Sequence, residues 1–121
     1  MDKDLELFGT KGAADLLGIT PQTVRWHVNV KGDLGPDLLV GGRFMVFSRE
    51  TLDAYLEGRE PDRDRVPDLF STRGAAEYLG VSFDAVDYHV HRAGNLEADA
   101  KVAGRLVFTR ETLDAFKRRK R

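Results

Sequence analysis

The feature that most constrains this chain is that it is written twice. "LFGTKGAADLLGITPQTVRWHV" (7–28) is answered by "LFSTRGAAEYLGVSFDAVDYHV" (69–90), and "GGRFMVFSRETLDAYL" (41–56) by "AGRLVFTRETLDAFK" (103–117). The offset is 62 residues, falling to 61 where one residue is lost, between Arg105 and Phe108 as the letters align. Turn and capping residues recur together with the apolar ones, so the repeat demands two similar folds rather than one enlarged core. Between the copies lies "EGREPDRDRVPD" (57–68), charged and holding two of the four prolines, which reads as a short exposed linker. The expected organisation is unit 1 over 1–58, a linker over 59–68, and unit 2 over 69–121 with a basic C-terminal tail. A chain of 121 residues allows two such units, each of about 50 residues and near the lower limit for a domain that folds alone.

Within one copy, Thr10 is a suitable N-cap for "KGAADLLG". Ala13, Ala14 and Leu17 fall on one helical face, and Gly18 ends the helix. Thr20 then caps a second helix with Pro21 at its first position, where the missing N–H costs nothing. Val24 and Val28, four apart, face the core, and Gly32 ends this helix. Apolar residues flank Gly41-Gly42, a pair suited to a tight hairpin turn. Ser48 caps "RETLDAYLEG", with Glu50 in the first turn, an apolar stripe of Leu52, Tyr55 and Leu56, and Gly58 as the stop. Thr72, Gly80, Ser82, Gly94, Gly104 and Thr109 repeat these signals. The fold class expected is mainly α with short β-hairpins, each unit a helix-turn-helix followed by a hairpin wing and a last helix.

"GAADLLGITPQTVRWHVNVKGDL" followed by "VGGRFMVFSRETLDAYL" resembles the small winged helix-turn-helix domains of the excisionase and MerR-type group. The resemblance covers nearly all of both copies, which makes this chain similar to a tandem duplicate of that domain. Two departures stand out: the stretch from Val24 to Gly32 is longer than the usual pattern, and "NVKG" is less basic than its counterpart. The resemblance implies sequence-specific binding of double-stranded DNA, with the second helix in the major groove and the wing on the backbone or minor groove. A small transcriptional regulator and an excisionase-like architectural factor both fit it. No ligand-sensing C-terminal domain of the MerR type follows, so effector sensing is not implied.

With Val24 and Val28 inward, Gln22, Thr23, Arg25, Trp26 and Asn29 lie on other faces of the second helix. Gln and Asn can read adenine edges, and Arg can read guanine or clamp a phosphate. Thr20 joins them at the helix start. Trp26, matched by Tyr88, fits either core packing or a ring facing phosphates. Arg43 and Arg105 follow the glycines of the two hairpins, where an Arg can reach phosphates or a narrow minor groove. Lys11 and Arg73, near the start of the first helices, could hold a phosphate. His91 and Arg92 are the cationic candidates on the second helix of copy two, where Gln22 and Arg25 are replaced by Asp84 and Asp87. Two acids beside a polyanion are costly, so copy one is the expected main reader.

Charge placement is the strongest objection to DNA. The tail Lys117, Arg118, Arg119, Lys120 and Arg121 brings the chain to a net −1; without it, residues 1–116 hold 14 basic and 20 acidic residues, net −6. Next to DNA the tail would add sequence-independent attraction; alone it reads as a solubilising or disordered end. The alternative function is therefore a protein-interaction module of the same fold that has lost DNA, with a homodimer or another protein held through unit 2. Enzymatic readings are not supported, since there is no nucleophile–base set, phosphate loop or paired acids. No cofactor is called for. His89 and His91 are two apart on a helix and do not face one metal, and the chain has no cysteine for a thiolate site. His27 and His89 read as half-buried packing residues. The acidic start "MDKDLE" is not a signal peptide and no apolar run spans a membrane, so a cytoplasmic protein is expected.

Overall fold

The two aligned copies build the same local structure, seen in a computed structural model that describes residues 6–120. The chain divides into two units, Met1–Val66 and Pro67–Arg121. In unit 1 the elements are β1 (Leu7–Phe8), α1 (Thr10–Leu17), α2 (Pro21–Trp26), β2 (Leu38–Val40), β3 (Phe44–Ser48) and α3 (Arg49–Glu57). Unit 2 repeats them as β4 (Leu69–Phe70), α4 (Thr72–Leu79), α5 (Phe83–Tyr88), β5 (Ala100–Val102), β6 (Arg105–Thr109) and α6 (Arg110–Lys120). The fold is thus mixed, with six α-helices and two small antiparallel sheets of order β1-β3-β2 and β4-β6-β5 among the described residues. The first strands are too short to announce themselves in sequence. Leu7 pairs with Ser48 and Phe8 with Phe47, so the residues before α1 clamp the far side of the hairpin.

Most capping expectations hold. Thr20, Ser48 and Ser82 accept from the backbone N–H groups of Thr23, Thr51 and Ala85, and Thr109 accepts from that of Thr112. The first helices differ from expectation. Thr10 is the first helical residue and Gly9 the cap, with no side-chain bond. In copy two Ser71, not Thr72, caps, accepting from Gly74 N–H. The β-strand pairing of Phe8 fixes where the backbone turns in, one residue earlier than the sequence suggests.

Both cores form around the small residues of the first helix. Ala13 and Ala14 are buried with Val24, Leu34, Met45, Phe47 and Leu52 in unit 1; Ala75 and Ala76 are buried with Val86, Leu96, Phe108, Leu113 and Phe116 in unit 2. Each fully buried Val, Leu or Phe contributes about 1.5–3 kcal/mol relative to exposure. Phe8 lies close over α1: a Cβ on Gly12 would meet its ring at 3.3 Å. Leu56 is not part of the expected stripe; it is 55% exposed, and Ala54 and Thr51 are buried instead.

The second helix does not run as an α-helix to Gly32. After Trp26 it widens into a π-turn over His27–Lys31, and the N–H groups of Gly32 and Asp33 both donate to His27 O (2.8 and 3.2 Å). His89–Ala93 does the same before Gly94. A π-turn accommodates an extra residue inside a helix, which explains why the stretch from Val24 to Gly32 is long in sequence. Val28 and Val90 still pack on the cores.

Strand register relocates the lost residue of copy two. Val40 pairs with Phe44 across the three-residue turn Gly41-Gly42-Arg43, whereas Val102 pairs with Arg105 across the two-residue turn Ala103-Gly104. The deletion therefore lies in the turn, not between Arg105 and Phe108. Ala103 takes φ +49 to close the tighter turn, the one non-glycine in the left-handed region among the described residues.

A carboxylate ties each hairpin to the helix after it, buried in unit 1 and exposed in unit 2. Asp37, its side chain 2% exposed, accepts from Ser48 N–H at 2.6 Å and Thr51 Oγ1 at 2.9 Å. Asp99 repeats this with Thr109 N–H at 2.7 Å and Thr112 Oγ1 at 2.8 Å. The charged segment 59–66 is largely exposed as expected, yet it belongs with unit 1. Arg59 Nη1 reaches Glu50 at 2.7 Å, Asp62 N–H donates to the same carboxylate at 2.9 Å, and Arg63 lies 3.5 Å from Asp37.

Two outcomes follow from these bonds. Asp37→Ala leaves a buried amide and hydroxyl unpaired and should lower the urea unfolding free energy by about 2–3 kcal/mol; a loss below half that would mean water replaces the carboxylate. Asp99→Ala, at an exposed residue, should cost less. The Arg59 hydrogen bond, followed by the Asp62 amide, holds the Glu50 carboxyl down to about 2. Its folded value lies below its ordinary one, so its contribution is full above the ordinary carboxylate range and is lost as pH falls from about 4.5 through about 2. The Asp62 amide proton shift, followed by NMR, should titrate with that low midpoint; a midpoint in the ordinary range would mean segment 59–62 is not bound to Glu50.

Candidate nucleic-acid interface

The outer stripe of α2 and its π-turn is set by its inner one. With Val24 buried and Val28 packed on the core, Gln22, Arg25, Trp26 and Asn29 take the helical spacing of a single opposite face, and all four are exposed. Copy two places Asp84, Asp87, Tyr88 and His91 at the matching positions, again all exposed. Trp26 is 47% exposed and Tyr88 54%, which removes the core-packing reading for both. Each ring stands edge-on to the following histidine: Trp26 to His27 at 5.0 Å and Tyr88 to His89 at 5.5 Å between centroids.

Thr20 and Thr23 are already engaged. Their hydroxyls bond each other at 2.8 Å while Thr20 caps the helix. Either hydroxyl could still accept from outside, but both first hold the start of α2 in place.

The histidines at the π-turns are half-buried, as packing residues should be. His27 Nδ1 lies 2.9 Å from Asp33 Oδ1, and the Tyr55 hydroxyl lies 3.2 Å from the ring. Burial works to raise the Asp33 carboxyl, but the His27 bond and charge, with Lys31, leave it below its usual value. Burial, and then the Asp33 charge, pushes the Tyr55 hydroxyl up. In unit 2 Asn95 replaces the carboxylate, at 3.0 Å from His89, and the Phe116 ring replaces the tyrosine, at 5.0 Å. The hydrogen bond from the second helix to the last, His27 to Tyr55, is thus particular to unit 1.

The hairpin cations are not equivalent. Arg43 stands exposed in the turn itself. Arg105 occupies a strand position opposite Val102 and donates to Ala103 O at 3.1 Å. The shorter turn moves it from the tip into the ladder. Lys11 and Arg73 are exposed on the first turns of α1 and α4, and Arg73 sits 5.9 Å from the Phe83 ring centre. His91 approaches Asp87 at 3.4 Å, and Arg92 is exposed.

The tail expectation changes most. Lys117–Lys120 continue α6 as helix instead of leaving the fold. Lys117 lies 4.9 Å over the Tyr78 ring and Arg119 donates to Asn95 O at 2.8 Å. Arg121 and the Lys120 side chain lie outside the described residues.

Ion pairing sorts the cations of unit 1. Lys31, Arg49, Arg59, Arg63 and Arg65 all face carboxylates within the same unit. The side chains of Lys11, Arg25 and Arg43 make no ion pair or hydrogen bond among the described residues. Sequence reading missed Asp37 and Asp99, which shape the interface from behind; their retention at the 62-residue offset was the available signal. Among the described residues no helix is long and apolar enough to cross a membrane.

Because the Arg25 and Arg43 side chains have no partners among the described residues, Arg25→Ala and Arg43→Ala should each leave stability within about 0.5 kcal/mol of the parent. Thr20→Ala should cost about 1 kcal/mol through its cap. Urea unfolding separates the two classes; a large loss in either arginine variant would mean the residue serves the fold. Searches against protein-family models, curated proteins and solved structures return no match to the chain.

Proposed function

We propose that the chain is a sequence-specific double-stranded DNA-binding protein made of two winged helix-turn-helix units, with unit 1 the main reader. One observation carries this reading. In a unit whose other described cations are held by its own carboxylates, Lys11, Arg25 and Arg43 are the three whose side chains have no partner among the described residues. They stand on the first helix, the second helix and the hairpin turn, the three places where a winged helix approaches a duplex. Internal pairing leaves the net acidity of the chain unchanged, but net charge does not say where the unpaired cations stand.

On this reading Gln22, Arg25 and Asn29 supply base-edge and phosphate contacts, Trp26 packs beside them, and Arg43 reaches the backbone or minor groove. Thr20 and Thr23 set the start of the reading helix. The protein is then a small cytoplasmic transcriptional regulator or an excisionase-like architectural factor. A second reading, a winged-helix interaction module without DNA, is favoured by unit 2 alone, where Asp84 and Asp87 stand exposed on the matching face.

A mobility-shift selection from a random duplex pool, at low and physiological salt, tests the main reading. Recovery of one sequence family supports it; no retained duplex at low salt defeats it. With the selected duplex, Gln22→Asp with Arg25→Asp should fold normally, since copy two carries acids in the same frame, yet weaken specific binding by several kcal/mol. Asp84→Gln with Asp87→Arg should bind equally or better. Arg43→Ala should weaken all sequences alike and lower the salt slope by about one. If the first variant binds as the parent does while the second fails, unit 2 is the reader.

A further inference from the structure

The duplication makes each unit a control for the other, and two surface changes set unit 2 apart. On the second helix, Gln22 and Arg25 become Asp84 and Asp87. On the last helix, α3 stops at Glu57 with Gly58 as its left-handed cap, whereas α6 runs on through Lys117, Arg118 and Arg119. By register of the repeat, Leu56, Glu57 and Gly58 have become Lys117, Arg118 and Arg119. One face has become acidic and the other basic, in the same copy.

In unit 2 the end of α6 packs against the π-turn that follows the acidic helix. Arg119 donates to Asn95 O, just past the π-turn that follows α5. His89, in that turn, packs edge-on against Phe116, the residue before Lys117. Asp84 has no ion-pair partner among the described residues, Arg118 is exposed, and Asp87 is approached at 3.4 Å by His91 on its own helix. Exposed rings border the acids: Phe83 is 47% exposed and Tyr88 54%. Such large apolar groups between charges are what the centre of a protein–protein contact uses.

We propose that this surface pairs with itself, so that unit 2 is the homodimerisation module of the protein. An acidic patch and a basic one on the same unit are self-complementary about a two-fold axis: the α5 face of one copy meets the α6 end of its partner, and the reverse contact forms at once. Phe83 and Tyr88 fill the middle. Unit 1 cannot form the same pair, because Arg25 and Glu57 reverse both signs and Glu57 is taken by Arg59 at 2.5 Å. This inference goes beyond the DNA reading and is tested without DNA, so its failure leaves that reading untouched.

The test is sedimentation of the full chain across concentration, at low and high salt, with circular dichroism to confirm folding. The parent should be a dimer at low salt and shift toward monomer at high salt. Asp84→Lys with Asp87→Lys should weaken the dimer on the order of tenfold or more, as should Lys117→Glu with Arg118→Glu. Mixing these two variants should restore a dimer, since each then carries the charge the other lacks; this rescue does not arise from misfolding. A parent that stays monomeric at low salt overturns the proposal. So does a dimer that survives both reversals, which would place the contact elsewhere. An Asp84→Lys, Asp87→Lys variant that gains duplex affinity while its mass stays that of the parent would also overturn it, because the acids would then serve only to repel DNA.

Discussion

Each unit depends on one carboxylate set ahead of its last helix, buried in unit 1 (Asp37) and exposed in unit 2 (Asp99). Asp37 takes the first N–H of α3's capping residue and the hydroxyl of Thr51, and Asp99 does the same ahead of α6. An ionised acceptor with several donors is well compensated inside a protein, whereas either side left alone would be a large penalty. The bond set fixes where β2 begins relative to the end of β3. It thereby fixes the hairpin register, the turn position, and the direction in which the last helix departs. Met45, Val46 and Phe47, all buried, reach the core only in that register.

Charge in unit 1 is arranged around this frame. Glu50 binds Arg59 and the Asp62 amide at the start of α3, where the helix dipole already favours an acid. The segment after α3 is thereby folded back, though its composition suggests a free linker. What remains unpaired among the described residues of unit 1 is a small set of cations on the first helix, the second helix and the turn. Net charge, a sum over the chain, cannot distinguish this from a uniformly acidic surface.

The two copies diverge where packing does not forbid it. Valines, alanines and capping hydroxyls recur, while the outer stripe of the second helix, the turn length and the end of the last helix all change. The shorter turn of unit 2 demands a left-handed Ala103 and draws Arg105 into the ladder. The π-turn recurs in both because His27 O and His89 O each receive two backbone donors, which stabilises a widening that would otherwise be strained.

Local chemistry was legible in the letters. The Thr20-Pro21 start, the Ser48 and Ser82 caps, the stops at Gly18, Gly32 and Gly58, and the inward valines all depend on residues a few positions apart, so the repeat displayed them openly. The exposed Gln22, Arg25 and Asn29 followed from that spacing as well, whereas the exposure of Trp26 was left open by the letters. The caps Gly9 and Ser71, the exposed Leu56 and the position of the turn deletion did not, because strand pairing between distant segments decides them. Nor did the helical course of Lys117–Lys120, the return of residues 59–66 to Glu50, or the partners that Arg49 and Arg59 find. Helix caps and periodicity are short-range consequences of backbone geometry, whereas register, ion pairing and burial are settled only when segments far apart in sequence compete for the same space and the same carboxylates.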